Sequence, residues 1–234
     1  MNGVDRELLG VYRYDEANRI WVYVGGELDT IAQTAVFHPD RLGIFAVLEY
    51  NKSYEDVPES HWALRALQVM TAKHIIDGVT ATSFQPDGKT TRAQFTAMLV
   101  RSLQLQHQEI SVTRFEDVPA EAWYAKEIAA AYHAGLISGV TERSFDPNAE
   151  ITREQMAVLL VRAHEYRNGE YSSGTNVLAT YADQESVSAW AQEEVGKAIE
   201  LGMLTGREDG QFDPASEALR SETAQALYRF LQKK

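Results

Sequence analysis

A pattern that occurs three times in step constrains the fold of this 234-residue chain more than any other feature. Each copy contains, in order, an acidic opening, a tryptophan, a loop with glycine and phenylalanine, and an arginine. An internal repeat of this kind predicts equivalent structural units that share one core. The equivalent residues are Trp62, Trp123 and Trp190, then Gly78, Gly139 and Gly206, then Phe84, Phe145 and Phe212, and finally Arg92, Arg153 and Arg220.

Each copy is predicted to form a helix, a loop and a second helix. In the first helix, apolar residues recur at a spacing of four, as in Ile128 and Tyr132. Glycine in the left-handed conformation should end this helix at Gly135 and Gly202, with His74 as an imperfect substitute in the first copy. The loop glycines are expected to permit positive φ in a turn. The loop phenylalanines are expected to fill the core.

The second helix is indicated in every copy by apolar residues at positions i, i+3, i+4 and i+7. Capping-box sequences specify its start, with Thr91 and Gln94 in the first copy and Thr152 and Gln155 in the second. In the third copy, Leu219 replaces the threonine, and the cap should be weaker.

An arginine occupies the first position of each second helix, where the helix dipole favours an anion instead. A guanidinium together with the unpaired N–H groups of the first turn could bind a carboxylate or phosphate. Alternatively, each arginine pairs with a carboxylate of a neighbouring repeat, and both interpretations remain open. The tryptophans are either core anchors or sugar-stacking platforms, and the core is favoured. The candidate carboxylates are Asp56, Asp117 and Asp183.

Composition excludes several classes of function. The 22 basic and 34 acidic residues give a net charge of -12, which argues against a nucleic acid partner. The absence of cysteine excludes disulfides, thiolate metal sites and cysteine catalysis. No apolar run approaches the roughly 20 residues that span a bilayer, so membrane insertion is not expected. Residues 1–20 lack an uninterrupted apolar segment, so no signal peptide is predicted there.

Residues 1–53 form a separate segment with β character. Short runs rich in β-branched and aromatic residues alternate with turn-like sequences, which predicts a small antiparallel sheet. We interpret this segment as the C-terminal part of a larger β module. An alternative is a carbohydrate-binding face built on Trp21, Tyr12 and Tyr23, although aromatic residues favour strands in any case. The predicted strands are 8–14, 20–24, 31–38 and 42–50.

The repeated motif residues resemble those of the S-layer homology family. The resemblance covers repeats at about 54–108, 115–167 and 181–234 of a domain at 54–234. The resemblance implies a mainly α fold, in which three helix-loop-helix repeats form one pseudo-threefold, three-pronged domain. Grooves between the prongs of such domains bind the secondary cell wall polymer of Gram-positive bacteria, typically through pyruvylated N-acetylmannosamine. This implies a non-catalytic, extracellular anchor that attaches an S-layer or surface protein to peptidoglycan, without a cofactor, metal or nucleic acid.

Carried over by position, the arginines would hold the carboxylate of the pyruvyl ketal. The third copy departs furthest from the family pattern, with Leu219 and Ser221 in its motif. The groove that relies on Arg220 is therefore expected to be the degenerate one. The family's opening acid falls on Asp56, Asp117 and Asp183, its loop glycine on Gly78, Gly139 and Gly206, and its glutamate on Gln94, Gln155 and Glu222.

Other functions fit the sequence less well. Three equivalent sites do not suit the asymmetric acid and base pair of a glycoside hydrolase. The loop at 77–87 has Phe84 and Pro86 where a calcium site needs oxygen ligands. The negative charge opposes a helix-turn-helix DNA binder. A protein-binding helical repeat module remains as the alternative. The link at 167–176, rich in Gly, Ser and Asn, is expected to be a flexible surface connection.

Overall fold

The computed structural model describes residues 3–29, 32–39, 41–105 and 114–233. The chain divides into two compact units, Met1–Gln85 and Pro86–Lys234. Among the described residues, the first unit contains two small antiparallel sheets and one α-helix, and the second contains five α-helices. The strands are β1 (Leu9–Asp15), β2 (Ile20–Gly25), β3 (Glu27–Asp29), β4 (Thr34–Val36) and β5 (Phe45–Glu49). The helices are α1 (Leu64–Ala72), α2 (Arg92–Ser102), α3 (Ala125–His133), α4 (Arg153–Asn168), α5 (Gln192–Glu200) and α6 (Arg220–Leu231).

The β segment forms two sheets rather than the single sheet expected. Strand β1 lies between β2 and β5 in a three-stranded antiparallel sheet, whereas β3 and β4 form a separate hairpin. The predicted strand at 31–38 shortens to β4, because β3 offers only three residues to pair with it. Position 31 lies outside the described residues. β1 is the central strand, and Leu9, Val11 and Tyr12 on it are buried.

Aromatic residues of the sheet pack around His74, which follows α1 in the first unit. The hydroxyl of Tyr12 lies 3.2 Å from Nε2 of His74, and the imidazole stacks on Tyr23 with ring centroids 4.6 Å apart. Tyr12 is therefore buried and part of the packing. Of the three aromatics considered for a carbohydrate face, only Trp21 is substantially exposed. Ordinary sheet packing thus accounts for this cluster.

The helix ends follow the sequence signals closely. Gly135, Gly202 and His74 have φ angles of 72°, 67° and 52°, so all three adopt the left-handed conformation. Both capping boxes are formed at the starts of α2 and α4. The third cap is reduced as predicted, because Leu219 has no hydroxyl. Only the bond from its N–H to Glu222 Oε2, at 2.9 Å, remains.

In the second unit, helices pair between successive copies of the repeat. The second helix of the first copy, α2, packs against α3 of the next copy, and α4 packs against α5 in the same way. The three second helices α2, α4 and α6 also contact one another. Their buried side chains include Phe95, Met156 and Phe230, which are fully enclosed. Within this unit, the second helices of the three copies therefore share one core.

A closed ring of backbone hydrogen bonds, which we call the central ring, joins the segments that precede α2, α4 and α6. The N–H of Thr90 donates to Ala218 O at 3.0 Å, the N–H of Ala218 donates to Ile151 O at 2.8 Å, and the N–H of Ile151 donates to Thr90 O at 2.9 Å. All three residues are fully buried. Each copy thus supplies one donor and one acceptor, and no backbone group of the ring needs water.

The loop glycines serve close packing rather than positive φ, contrary to the expectation from sequence. None of Gly78, Gly139 and Gly206 has a positive φ angle. A Cβ on Gly139 would overlap the carbonyl oxygens of Thr141 and Ser144 and lie 2.7 Å from the ring of Phe115, and Cβ atoms on Gly78 and Gly206 would lie closer still to Tyr54 and Tyr181. The left-handed loop residues are those after the phenylalanines, namely Gln85, Asp146 and Asp213.

We expect Gly139→Ala to lower the free energy of unfolding by about 2 to 4 kcal/mol, because the added methyl group has no room beside Phe115. Gly196→Ala in α5 is the matched control. Nothing lies within 4 Å of a Cβ at Gly196, so alanine should stabilise this helix by about 0.5 to 1 kcal/mol. Urea unfolding measures both variants, and equal effects would contradict the packing role of Gly139.

We expect His74 to make the protein less stable in acid. Burial lowers the pKa of His74 below 6.5, with Asp77 opposing and Lys52 adding to the shift. As the pH falls, the unfolded chain therefore binds a proton on His74 before the folded protein does. The contribution of neutral His74 to stability is fully present above about pH 6.5 and is lost as the pH falls through the pKa of the folded state. His74→Asn keeps a residue that tolerates the left-handed conformation and removes the titrating group.

Melting temperatures at about pH 7.5 and 5.5 test this expectation. The decrease on acidification should be smaller in His74→Asn than in the parent chain. The exposed His38 provides a control, since His38→Asn should retain the parent response. His164, whose pKa is also lowered by burial, contributes the same sign in all three proteins. Identical decreases in all three would contradict the role assigned to His74.

Candidate functional site

The opening acid of each copy holds the loop of the same copy. Asp117 accepts hydrogen bonds from Ser144 Oγ at 2.7 Å and from the N–H groups of Phe145 and Asp146 at 2.9 and 2.7 Å. Burial raises the pKa of Asp117, but these hydrogen bonds together lower it by a larger amount, so the pKa lies below its ordinary value. Asp56 binds the loop of its own copy in the same manner, whereas Asp183 accepts the two backbone N–H groups but no serine hydroxyl, because Gln211 stands at that position.

The loops present phenylalanines to the core and carbonyl oxygens to an arginine. Phe84, Phe145 and Phe212 are fully buried, as predicted. Nε of Arg92 donates to Phe145 O at 2.9 Å, and its guanidinium lies 4.7 Å from the centre of that ring. Arg153 contacts Phe212 in the same way, at 2.8 and 5.0 Å. Each of these two arginines therefore reaches from one copy to the loop of the next.

All three arginines are buried, with at most 8% of each residue exposed. Burial lowers the pKa of Arg92, which Asp146 and Asp117 oppose, and burial likewise lowers the pKa of Arg153. A guanidinium remains protonated despite such shifts, because its ordinary pKa is above about 12. A buried and permanent positive charge is costly unless polar or anionic groups surround it.

The first turns of the second helices are not open to a ligand, which corrects the expectation that their N–H groups are unpaired. In α2, the N–H of Arg92 donates to Ala149 O at 2.9 Å and the N–H of Ala93 donates to Pro147 O at 3.0 Å. The N–H of Gln94 donates to the capping hydroxyl of Thr91. Equivalent bonds form at α4 and, for the first two positions, at α6. At α2, the guanidinium is the group left to bind an anion.

The direct partners of Arg92 and Arg153 differ from the carboxylates considered from sequence. Nη1 of Arg92 donates to Gln155 Oε1 at 3.3 Å, and Nη1 of Arg153 donates to Glu222 Oε1 at 3.2 Å. Within the described part of the chain, neither guanidinium bonds directly to an opening acid. Gln94 forms its capping bond to the N–H of Thr91 at 3.0 Å.

The tryptophans are exposed, which overturns the expectation that most of each ring is in the core. The exposed fractions of Trp62, Trp123 and Trp190 are 61%, 58% and 56%. Each lies in the turn just before a first helix, so packing within the helix pairs does not cover it. A flat ring with one apolar face in water can stack on the apolar face of a sugar or on another protein.

Sequence reasoning missed one cation beside Arg153. Arg207 binds Asp213 Oδ2 at 2.8 Å and Glu222 Oε1 at 3.1 Å. The equivalent positions of the other copies hold Val79 and Val140. Comparison of the three copies at this position would have revealed the difference, because a cation replaces an exposed valine in only one of them.

Within residues 3–29, 32–39, 41–105 and 114–233, no three acidic or histidine side chains are grouped so that they could hold a metal ion. None of the helices described above is long and apolar enough to cross a membrane.

Known proteins match this chain along most of its length. It is 35% identical to an amylopullulanase of Thermoanaerobacterium thermosulfurigenes over 229 residues, which is 98% of this chain and 12% of that protein. It is 38% identical to an endoglucanase of Bacillus sp. (strain KSM-635), covering 77% of this chain and 19% of the relative. The S-layer protein sap of Bacillus anthracis is 32% identical, covering 75% and 21%. The chain thus spans between about an eighth and a fifth of these relatives.

The repeat itself is recognised three times. The model of the S-layer homology domain matches residues 53–96, 114–157 and 180–224, which together make up more than half of the chain. These matches coincide with the three copies defined by their tryptophans, loop glycines and arginines. Domains of this family mediate the attachment of S-layer proteins and surface enzymes to the cell wall. The chain belongs to the S-layer homology domain family.

Proposed function

We propose that residues 54–234 form one pseudo-threefold, three-pronged domain that anchors a longer extracellular protein to the cell wall. Its partner is the secondary cell wall polymer, bound through pyruvylated N-acetylmannosamine in grooves between repeats. The domain itself is non-catalytic. Any enzymatic or structural activity belongs to other parts of the longer protein, as in the relatives named as a glucanase, an amylopullulanase and S-layer proteins.

The threefold arrangement is supported by the way in which equivalent atoms pair. In the central ring, equivalent residues of the three copies each donate once and accept once. The short bridges beside the ring repeat this order, joining Thr91 to Glu150, Thr152 to Glu217 and Lys89 to Leu219. Cyclic pairing of equivalent segments is what a threefold axis through the ring would produce.

One observation carries the anion-binding part of the proposal, namely the state of the Arg92 guanidinium. Arg92 is more than nine-tenths buried, yet within the described part of the chain its guanidinium donates to a carbonyl oxygen and a neutral amide and to no carboxylate. The carboxylate of a pyruvyl ketal would supply the missing negative charge. Arginine is suited to this role because its planar donors match the two oxygens of a carboxylate.

The exposed tryptophans fit the sugar part of the same ligand. Trp62, Trp123 and Trp190 retain more than half of their surface in the folded protein. We assign them to stacking against the sugar ring, together with the opening acids and loop glycines that shape the loops. The protein-binding alternative uses the same exposed rings, and the experiment below separates the two.

Calorimetric titration of the 234-residue chain with a synthetic 4,6-pyruvyl ketal of N-acetylmannosamine tests the proposal. The ketal should bind at least about tenfold more tightly than the same sugar without it, because only the ketal carries a carboxylate. Equal affinity for the two sugars would contradict the role of the arginines. If neither sugar binds but a cell-wall protein binds the chain, the protein-binding alternative is favoured.

Trp123→Ala tests the stacking role. The ring is exposed, so its removal should change the free energy of unfolding by less than about 0.5 kcal/mol. Affinity for the ketal should fall about tenfold if Trp123 stacks on the sugar. Trp21→Ala, which removes an exposed tryptophan outside the repeats, should leave affinity unchanged. Equal losses in both variants would argue against a specific stacking role.

A further inference from the structure

Arg92 and Arg153 occupy equivalent positions but contact different side chains. Each Nη1 atom donates to the residue two positions after the arginine of the next copy, which is Gln155 for Arg92 and Glu222 for Arg153. The two bonds have nearly equal lengths, 3.3 and 3.2 Å. One partner is a neutral amide and the other is a carboxylate only 13% exposed. A guanidinium beside a carboxylate is already neutralised, whereas one beside an amide is not.

Every nitrogen of the Arg153 guanidinium donates at least one hydrogen bond. Its Nη2 donates to Thr205 O at 2.8 Å. Arg207 binds the same Glu222 oxygen and also Asp213, so two guanidiniums and two carboxylates form one network. A ligand carboxylate at Arg153 would have to compete with Glu222 and break bonds in this network, which makes binding unfavourable.

The Arg92 guanidinium makes fewer hydrogen bonds than that of Arg153 within the described part of the chain. Within the described part of the chain, its Nη2 donates to no residue, and its Nε and Nη1 donate to a carbonyl and an amide oxygen instead of a carboxylate. Asp117 accepts hydrogen bonds from its own loop and only acts on Arg92 through its field, as does Asp146. The position equivalent to Arg207 in the second copy is Val140, which carries no charge. An incoming carboxylate could therefore bind Arg92 without displacing another anion.

We propose that Gln155 and Glu222 determine which of these two sites accepts the anionic sugar. Gln155 leaves the Arg92 site open to a carboxylate, and Glu222 acts as an internal anion that closes the Arg153 site. The inference rests on the proposed binding of a pyruvylated sugar. It adds that two sites built from the same motif differ in affinity through one side chain each.

Reciprocal exchange of the two residues tests the inference. Gln155→Glu should weaken binding of one ketal molecule by about tenfold, since the new carboxylate would neutralise Arg92. Glu222→Gln should add one bound ketal molecule per chain by releasing Arg153. Both side chains also accept the N–H at the helix cap, from Thr152 at 3.3 Å and Leu219 at 2.9 Å. Glutamine and glutamate can each keep that bond, so both variants should fold.

The controls separate this inference from the function on which it rests. Glu142→Gln, an exposed change in the second copy, should alter neither affinity nor stoichiometry. If the parent chain binds the ketal but both exchanges leave binding unchanged, the inference fails and the proposed function stands. If an exchange alters binding of the neutral sugar equally, its effect is not electrostatic and the inference also fails. If the parent chain does not bind the ketal, the proposed function and the inference both fail.

Discussion

The central ring of three backbone hydrogen bonds is the constraint on which the second unit depends. Thr90, Ile151 and Ala218 are buried, so an unpaired N–H or C=O at any of them would cost roughly 1 to 3 kcal/mol. Each group is satisfied only when all three copies are present and correctly placed. The ring therefore fixes where α2, α4 and α6 begin, and with them the arginines at their first positions.

This construction explains why the candidate site consists of side chains. The first backbone N–H groups of each second helix bind carbonyl oxygens of a neighbouring copy, which consumes the donors that helix starts usually offer to anions. What remains is a guanidinium held over a phenylalanine ring by a bond to that residue's carbonyl. Small differences around this guanidinium, such as Gln155 against Glu222, can then separate sites that share one motif.

The sequence predicted what depends on neighbours along the chain and missed what depends on distant copies. Helix caps at Thr91 and Thr152 and the left-handed Gly135 follow from local rules, and all are confirmed. The role of Gly139 was misjudged, because its close neighbours arise from tertiary folding: the carbonyl oxygens of Thr141 and Ser144 fold back against it, and the ring of Phe115 packs on it from the start of the copy. Exposure of Trp123 could not be read from periodicity, since tryptophan is common in cores and on binding surfaces alike. The direct partners of the arginines likewise come from the following copy.

Pairing of helices between copies also limits how such a gene can change. Because α2 packs on α3 and α4 packs on α5, the boundary of a repeat in the sequence falls inside a structural pair. A deletion of the middle copy would remove the partners of α2 and α5 together and open the ring. A duplication would insert a fourth member into a closed circle of three. The three copies are thus expected to be inherited as a set, diverging by substitution rather than by changes in number.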